Sequence, residues 1–152
     1  MPRRLSAVTK CGALFAFAYP WIMSRYISLI MHCKRFREAH SFDQPLHTWN
    51  TSRVTSMSGM FRYASEFEGN LGLAKWNTNN VVDFSYMFQD ASSLDGFRIG
   101  NWNVSKARTL QSMFDGATIF NQPLQNWNVQ QVTNLQHMFR VSGIVHLSGG
   151  GH

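Results

Sequence analysis

A chain of 152 residues, 44% hydrophobic and only 14% charged, is long enough for one domain or a short repeat array. This composition excludes disordered, collagen-like, coiled-coil and disulfide-framework proteins. The net charge of +6 arises in residues 1–37, which carry seven basic residues and no acid, whereas residues 38–152 net −1. We therefore expect no nucleic-acid partner, because nucleic-acid-binding bodies show basic residues clustered on one face.

Residues 1–35 are predicted to be a separate basic and apolar segment. Their charge-free stretch, residues 11–24, is shorter than the ~20 residues that span a bilayer. Three interpretations stay open: a signal peptide cleaved after Ala16–Ala18, a membrane-attached helix over residues 11–31, or an apolar helix that caps the following repeats. The absence of acids is also a feature of organelle transit peptides. We expect a secreted, cell-surface or membrane-associated protein.

Residues 36–141 are predicted to form an internal repeat. Each of four Trp-Asn pairs is followed 11 residues after its tryptophan by a Met-Phe pair. The recurring residues are Trp49, Trp76, Trp102 and Trp127, then Met60, Met87, Met113 and Met138, then Phe61, Phe88, Phe114 and Phe139. An incomplete copy begins near Phe36, and residues 142–152 form a glycine-rich tail.

The spacing within each unit predicts one short helix and one short strand. In the first three units, apolar residues fall at positions 5, 8, 11, 12 and 15 after the tryptophan, which is typical of one helical face. Ser52, Asn79 and Ser105 are the expected helix N-caps. Strands are expected over Leu46–Thr51, Leu73–Thr78, Ile99–Val104 and Leu124–Val129. Stacked units would bury a common core, so we predict an α/β, leucine-rich-repeat-like solenoid of about four coils of 25–27 residues, plus an N-terminal apolar helix.

The pattern resembles the 26-residue repeat of bacterial surface proteins, of the BspA-like leucine-rich-repeat or Mycoplasma-type lipoprotein kind. Residues 49–61 and 120–124 carry the resemblance most clearly. It implies adhesion or protein binding at a cell surface, and the family pattern contains no catalytic residues. Ser142 stands where the first three units have alanine, and neither end shows a repeat-type cap. A fragment of a longer repeat protein is therefore an open alternative.

No residue pattern predicts catalysis, a cofactor or a metal. The acid pairs Glu66/Glu68 and Asp90/Asp95 are expected to be solvated loop residues, and no P-loop, HExxH, GxSxG or EF-hand motif is present. Cys11, His32, Cys33 and His40 have no closed zinc-site spacing. We expect the methionines to pack in the core and the tryptophans to be buried, although outward indole rings would suit a glycan. The protein is predicted not to be an enzyme.

Positions between the apolar ones differ from unit to unit, which predicts a variable binding face. Its candidate residues are Ser56, Arg62, Asp83, Tyr86, Gln89, Arg108, Gln111, Asn134 and His137. A fixed core with a varied surface is typical of a recognition module. We therefore predict protein binding or adhesion, with a glycan as the other candidate ligand. A structural spacer or a gene fragment without independent function is the alternative.

Overall fold

Four stacked coils make up the part of the chain that the computed structural model describes, residues 46–47, 49–69, 72–95 and 99–143. Each coil begins three residues before its tryptophan, at Leu46, Leu73, Ile99 or Leu124, and positions within a coil are counted from that tryptophan. The segment 1–35, with its predicted apolar helix, and residues 144–152 of the tail lie outside the described residues.

Within the described ranges, regular secondary structure is limited to two 3₁₀ helices, Leu73–Lys75 and Ile99–Asn101. The described residues contain no α-helix and no β-strand. The prediction of an α/β solenoid with one helix and one strand per coil is therefore wrong. The 3₁₀ helices stand where two of the strands were expected. The coils are joined at isolated parallel bridges that run through Ser56, Asp83, Thr109 and Asn134.

Each coil is built from successive four-residue turns. In the first coil, amides donate to the carbonyl three residues earlier from Val54 to Thr51, from Met60 to Met57 and from Ala64 to Phe61. The apolar residues that end these turns are buried. An apolar residue at every third or fourth position therefore fills the core of a turn-built coil as well as one face of a helix. Because the two structures share this spacing, the sequence pattern also predicts a helix.

Left-handed residues recur at two fixed positions of every coil. Position 10 holds Gly59, Tyr86, Ser112 and His137, and position 14 holds Tyr63, Asp90, Gly116 and Val141, all with φ between 50° and 74°. In the first coil these are the third residues of the turns that begin at Met57 and Phe61, as in a type II turn. An α-helix cannot continue through a positive φ, so these residues end any helical path twice per coil.

Every second amide from position 8 to position 14 of the first three coils bonds to the next coil. The N–H groups at positions 8, 10, 12 and 14 donate to the carbonyls at positions 7, 9, 11 and 13 of the following coil, at 2.7–3.1 Å. Examples are Met57 to Asp83, Phe84 to Thr109 and Leu110 to Asn134. In an α-helix these N–H groups would bond four residues back along the chain. The neighbouring coil takes that role here, which is the physical reason for the correction.

Two aromatic columns fill the interior. Phe61, Phe88, Phe114 and Phe139 follow one another with ring centroids 5.6, 5.7 and 5.7 Å apart and nearly parallel planes. Beside them, Trp76 stacks on Trp49 at 5.9 Å and on Trp102 at 6.2 Å. Burial of one such side chain contributes about 1.5–3 kcal/mol, so repetition supplies the stability that short turns lack.

Hydrogen bonds explain why each unit carries a Trp-Asn pair. The indole N–H groups of Trp76, Trp102 and Trp127 donate to the carbonyl of the first residue of the preceding coil, at 2.9–3.2 Å. Each following asparagine accepts a hydrogen bond from the backbone amide two residues on, as in Asn50 with Ser52 and Asn103 with Ser105. The expected caps Ser52, Asn79 and Ser105 are therefore the donors to an Asx turn, and no helix begins at them.

Candidate interaction surface

The hydrogen bonds from positions 8, 10, 12 and 14 of one coil to positions 7, 9, 11 and 13 of the next form a backbone ladder. Side chains that are mostly polar flank this ladder at positions 6, 7, 9, 10, 13 and 14 of the four coils. We call this set the ladder face. Because the ladder holds the backbone of each coil against the next, residues at one position form a column across the coils. The fold therefore presents side chains in a fixed grid, whose chemistry is set by the local sequence.

All nine residues predicted for the variable face lie on the ladder face. Arg108 and His137 are exposed, and Gln89 is buried. The other six are half-buried: Ser56, Arg62, Asp83, Tyr86, Gln111 and Asn134. Of the recurring residues predicted for the core, the four tryptophans are 3–9% exposed and the four methionines 0–7% exposed. Phe61, Phe88 and Phe114 are fully buried, and Phe139 is partly buried against the core.

Hydrogen bonds join several columns of the ladder face. The Ser56 hydroxyl donates to Oδ2 of Asp83, which also stands at position 7, at 3.4 Å. The side-chain amide of Asn134, at position 7 of the fourth coil, donates to Oε1 of Gln111, at position 9 of the third coil, at 3.1 Å. The side chains of Arg108 and His137 form no hydrogen bond with the other predicted residues within the described part of the chain, and Arg108 is joined to Asn134 only through its carbonyl, which accepts from the Asn134 backbone amide at 3.3 Å. The predicted set is thus one surface with several small polar groups rather than one cluster.

Arg62 lies between two tyrosine rings. Its guanidinium carbon is 4.8 Å from the ring centre of Tyr63 and 5.1 Å from that of Tyr86, and its Nη2 donates to the Tyr63 hydroxyl at 3.0 Å. These distances are within the range of cation–π attraction. The chain brings the three together because position 14 of the first coil and position 10 of the second both flank position 13 of the first.

The position 13 column continues into two residues that the sequence interpretation did not name. Gln89 Nε2 donates to Asp115 Oδ2 at 3.2 Å. Arg140 forms a bidentate pair with Asp115, with Nε on Oδ1 at 3.0 Å and Nη2 on Oδ2 at 2.8 Å. Asp115 and Arg140 share the position of Arg62 and Gln89 in their own units, so the repeat period was the signal that would have found them.

Electrostatics on this surface centre on two carboxylates. Partial burial, and then the charge of Asp115, raise the pKa of Asp90, while Arg62 and Arg140 oppose that shift. The hydrogen bond and charge of Asp115 raise the pKa of Arg140. Asp90 and Asp95 are both exposed, as the sequence predicts, and the carboxylate that acts on Asp90 is that of Asp115.

Other candidate chemistry occupies separate places. Glu66 and Glu68 are exposed. Cys11, His32, Cys33 and His40 lie outside the described residues. Within the described ranges, no three His, Cys, Asp or Glu side chains come together as a set that could hold a metal ion. The same ranges contain no helix with the length and hydropathy that crossing a membrane requires.

Comparison with known families places the chain. The family described as "Mycoplasma protein of unknown function, DUF285" matches residues 31–146, which is more than half of the chain. The protein therefore belongs to this family. Comparisons with curated proteins and with solved structures gave no match. The family agrees with the Mycoplasma-type repeat expected from the sequence. The match does not test the more specific BspA-like relationship.

Proposed function

We propose that this protein is a non-enzymatic binding module that recognises another protein through the ladder face. The observation that carries the proposal is the group formed by Arg62, Tyr63 and Tyr86. Arginine and tyrosine are enriched among residues that dominate protein–protein binding, because they combine apolar contact area with hydrogen-bonding groups. The backbone ladder holds this group in place before a partner arrives, which lowers the entropy cost of association.

Columns of varied side chains on a constant backbone support the same proposal. At position 13 the four coils carry Arg62, Gln89, Asp115 and Arg140, and at position 10 they carry Gly59, Tyr86, Ser112 and His137. The positive and negative groups are interspersed along the face. A protein surface with matching alternation of charge suits such a face better than a uniformly charged polymer does.

We also propose that the protein acts outside the cell or at its surface, and that its repeats are of the BspA-like kind. The basic and acid-free residues 1–37 and the apolar residues 11–31 support export or membrane attachment. A reporter fused to residues 1–35 tests this part. Export or membrane association of the reporter is expected, and a wholly cytosolic reporter would overturn it.

Binding is tested with substitutions that the repeat already contains. Arg62→Gln introduces the residue of the second coil at position 13, and Tyr86→Ser introduces the residue of the third coil at position 10. The full chain is screened against protein and glycan arrays. We expect saturable binding to a protein, and loss of that binding in the double variant.

Lys75→Ala is the matched control, because Lys75 is exposed and ends a 3₁₀ helix away from the ladder face. The control should bind as the parent does. Equal loss in both variants, or binding to glycans alone, would contradict the proposal. Absence of any partner would favour the structural spacer.

A further inference from the structure

An exposed asparagine stands at position 1 of every coil. These residues are Asn50, Asn77, Asn103 and Asn128. In each of them the side-chain oxygen Oδ1 accepts a hydrogen bond from the backbone amide two residues on, at 3.0–3.1 Å, which forms an Asx turn at the surface. The fold therefore holds four copies of one side chain in the same local geometry, and these copies differ in the residues that follow them.

Two of the four asparagines begin a tripeptide that can accept an N-linked glycan. Residues 50–52 read Asn-Thr-Ser and residues 103–105 read Asn-Val-Ser, so a serine follows two residues after the asparagine and no proline intervenes. No other asparagine of the sequence has serine or threonine two residues on. Asn77 is followed at that distance by Asn79 and thus offers the same turn without the hydroxyl.

The turn at Asn50 brings the serine hydroxyl onto the side-chain amide. Ser52 Oγ donates to Asn50 Oδ1 at 2.7 Å, and the Ser52 backbone amide donates to the same oxygen at 3.1 Å. Asn50 is exposed, and its nitrogen Nδ2 donates to no group within the described part of the chain. This nitrogen is the atom to which an N-linked glycan is joined, so the folded chain leaves the attachment point open.

The nitrogen of Asn103 is engaged instead. Its Nδ2 donates to Asn79 Oδ1 of the second coil at 3.0 Å. Ser105 reaches Asn103 through its backbone amide, and its hydroxyl forms no bond to Asn103 within the described ranges. A glycan at Asn103 would replace one of the two N–H groups of this amide and add bulk beside the second coil. Asn50 is therefore the better placed of the two.

We propose that Asn50 is an acceptor site for an N-linked glycan. The donor is a lipid-linked oligosaccharide diphosphate, used by a transferase of the secretory membrane. The bond from the first sugar's anomeric carbon to the diphosphate oxygen breaks, that carbon joins Nδ2, and Nδ2 gives up a proton as the lipid diphosphate leaves. This inference rests on the export that is part of the proposed function, because such glycans are added to secreted chains. Position 1 is not part of the ladder face.

Cell-free synthesis of the full chain with secretory microsomes tests the proposal. The chain is made with its own N-terminus and, in parallel, behind an added signal sequence, and protection from protease shows which product has entered the microsomes. We expect a protected chain whose mass falls on treatment with an N-glycan amidase. Asn50→Gln should remove one glycan per chain. Asn77→Gln is the matched control, because Asn77 has the turn without the serine, and it should leave the number of glycans unchanged.

The failure of export and the failure of this site give different results. Entry only behind the added signal sequence would contradict export by residues 1–35, and loss of a glycan from that product in Asn50→Gln would still support the acceptor site. A protected chain without glycan, or one whose number of glycans does not change in Asn50→Gln, would overturn the proposal.

Thermal unfolding of the modified chain provides a second measurement. Its midpoint should be no lower than that of the same chain after amidase treatment, because Asn50 Nδ2 holds no hydrogen bond that the described stack needs. A lower midpoint for the modified chain would contradict the open placement of this nitrogen.

Discussion

Asp115 of the third coil accepts two hydrogen bonds from Arg140, the residue that stands at the same position of the fourth coil. The Asp115 side chain is 5% exposed and that of Arg140 is 59% exposed, so a nearly buried carboxylate is satisfied by a guanidinium that reaches in from the surface. The pair joins the last described coil to the rest of the stack. It does so at the end where only one neighbouring coil is present among the described residues.

Removal of Arg140 should loosen the fourth coil. In Arg140→Gln the Asp115 carboxylate loses its charged partner while it stays buried, which is costly for an ionised group. We expect a lower midpoint of thermal unfolding and faster hydrogen exchange in residues 135–143. Arg108→Gln is the control, because Arg108 is exposed and has no ion pair within the described residues. An equal loss of stability in both variants would contradict this role of the pair.

Asp90→Asn should stabilise the protein at neutral pH. Burial and the charge of Asp115 raise the pKa of Asp90 above its ordinary value of 3.8, so the folded state holds the proton more tightly than the unfolded state does. The folded state is therefore destabilised increasingly as the pH rises from the ordinary pKa to the raised pKa. At higher pH the destabilisation stays at its full value. The stability advantage of the variant should therefore be present at pH 7 and shrink in acid.

Urea unfolding at neutral and acidic pH measures this difference. Asp90 also has a φ of 58°, and asparagine tolerates left-handed backbone well. A gain that is independent of pH would assign the effect to the backbone and would contradict the electrostatic explanation.

Val141→Asn should stabilise the fourth coil by about 1 kcal/mol. Val141 has a φ of 55°, which is strained for a β-branched residue, and its side chain is 71% exposed, so little apolar contact is lost. Denaturant titration gives the free energy of unfolding. The control is Val129→Asn, at an exposed valine without a positive φ, which should give no gain. A similar gain in both variants would mean that removal of exposed apolar surface is responsible.

Phe88→Ala should be the most damaging of these substitutions. Phe88 is fully buried and stacks on Phe61 and Phe114, so truncation leaves a cavity in the middle of the column, at a cost of about 3–5 kcal/mol. The neighbouring change Met87→Leu keeps the volume and should cost less than about 1.5 kcal/mol. Equilibrium unfolding separates the two. A cost below that of Met87→Leu would show that the aromatic column does not hold the coils together.

Part of the fold was accessible from the residues alone. The fixed interval from Trp76 to Met87 and Phe88 identified positions that the structure buries, whereas a binding role for the variable positions beside them stays a prediction. The helix at these positions was a wrong prediction, although the sequence held a signal against it. Gly59, Gly116 and Asp90 recur at positions 10 and 14, and glycine and aspartate are common where φ is positive. Tyr86 and Val141 at the same positions concealed that signal.

The sequence by itself determined the period of the repeat and which side chains avoid water, because burial depends mainly on side-chain chemistry and on spacing along the chain. Only the tertiary structure decided where the backbone amides are satisfied. An apolar residue every three or four positions suits a helix and a series of turns equally well. The choice between them depends on whether a neighbouring coil offers carbonyls at the right distance, and that neighbour lies some 26 residues away along the chain.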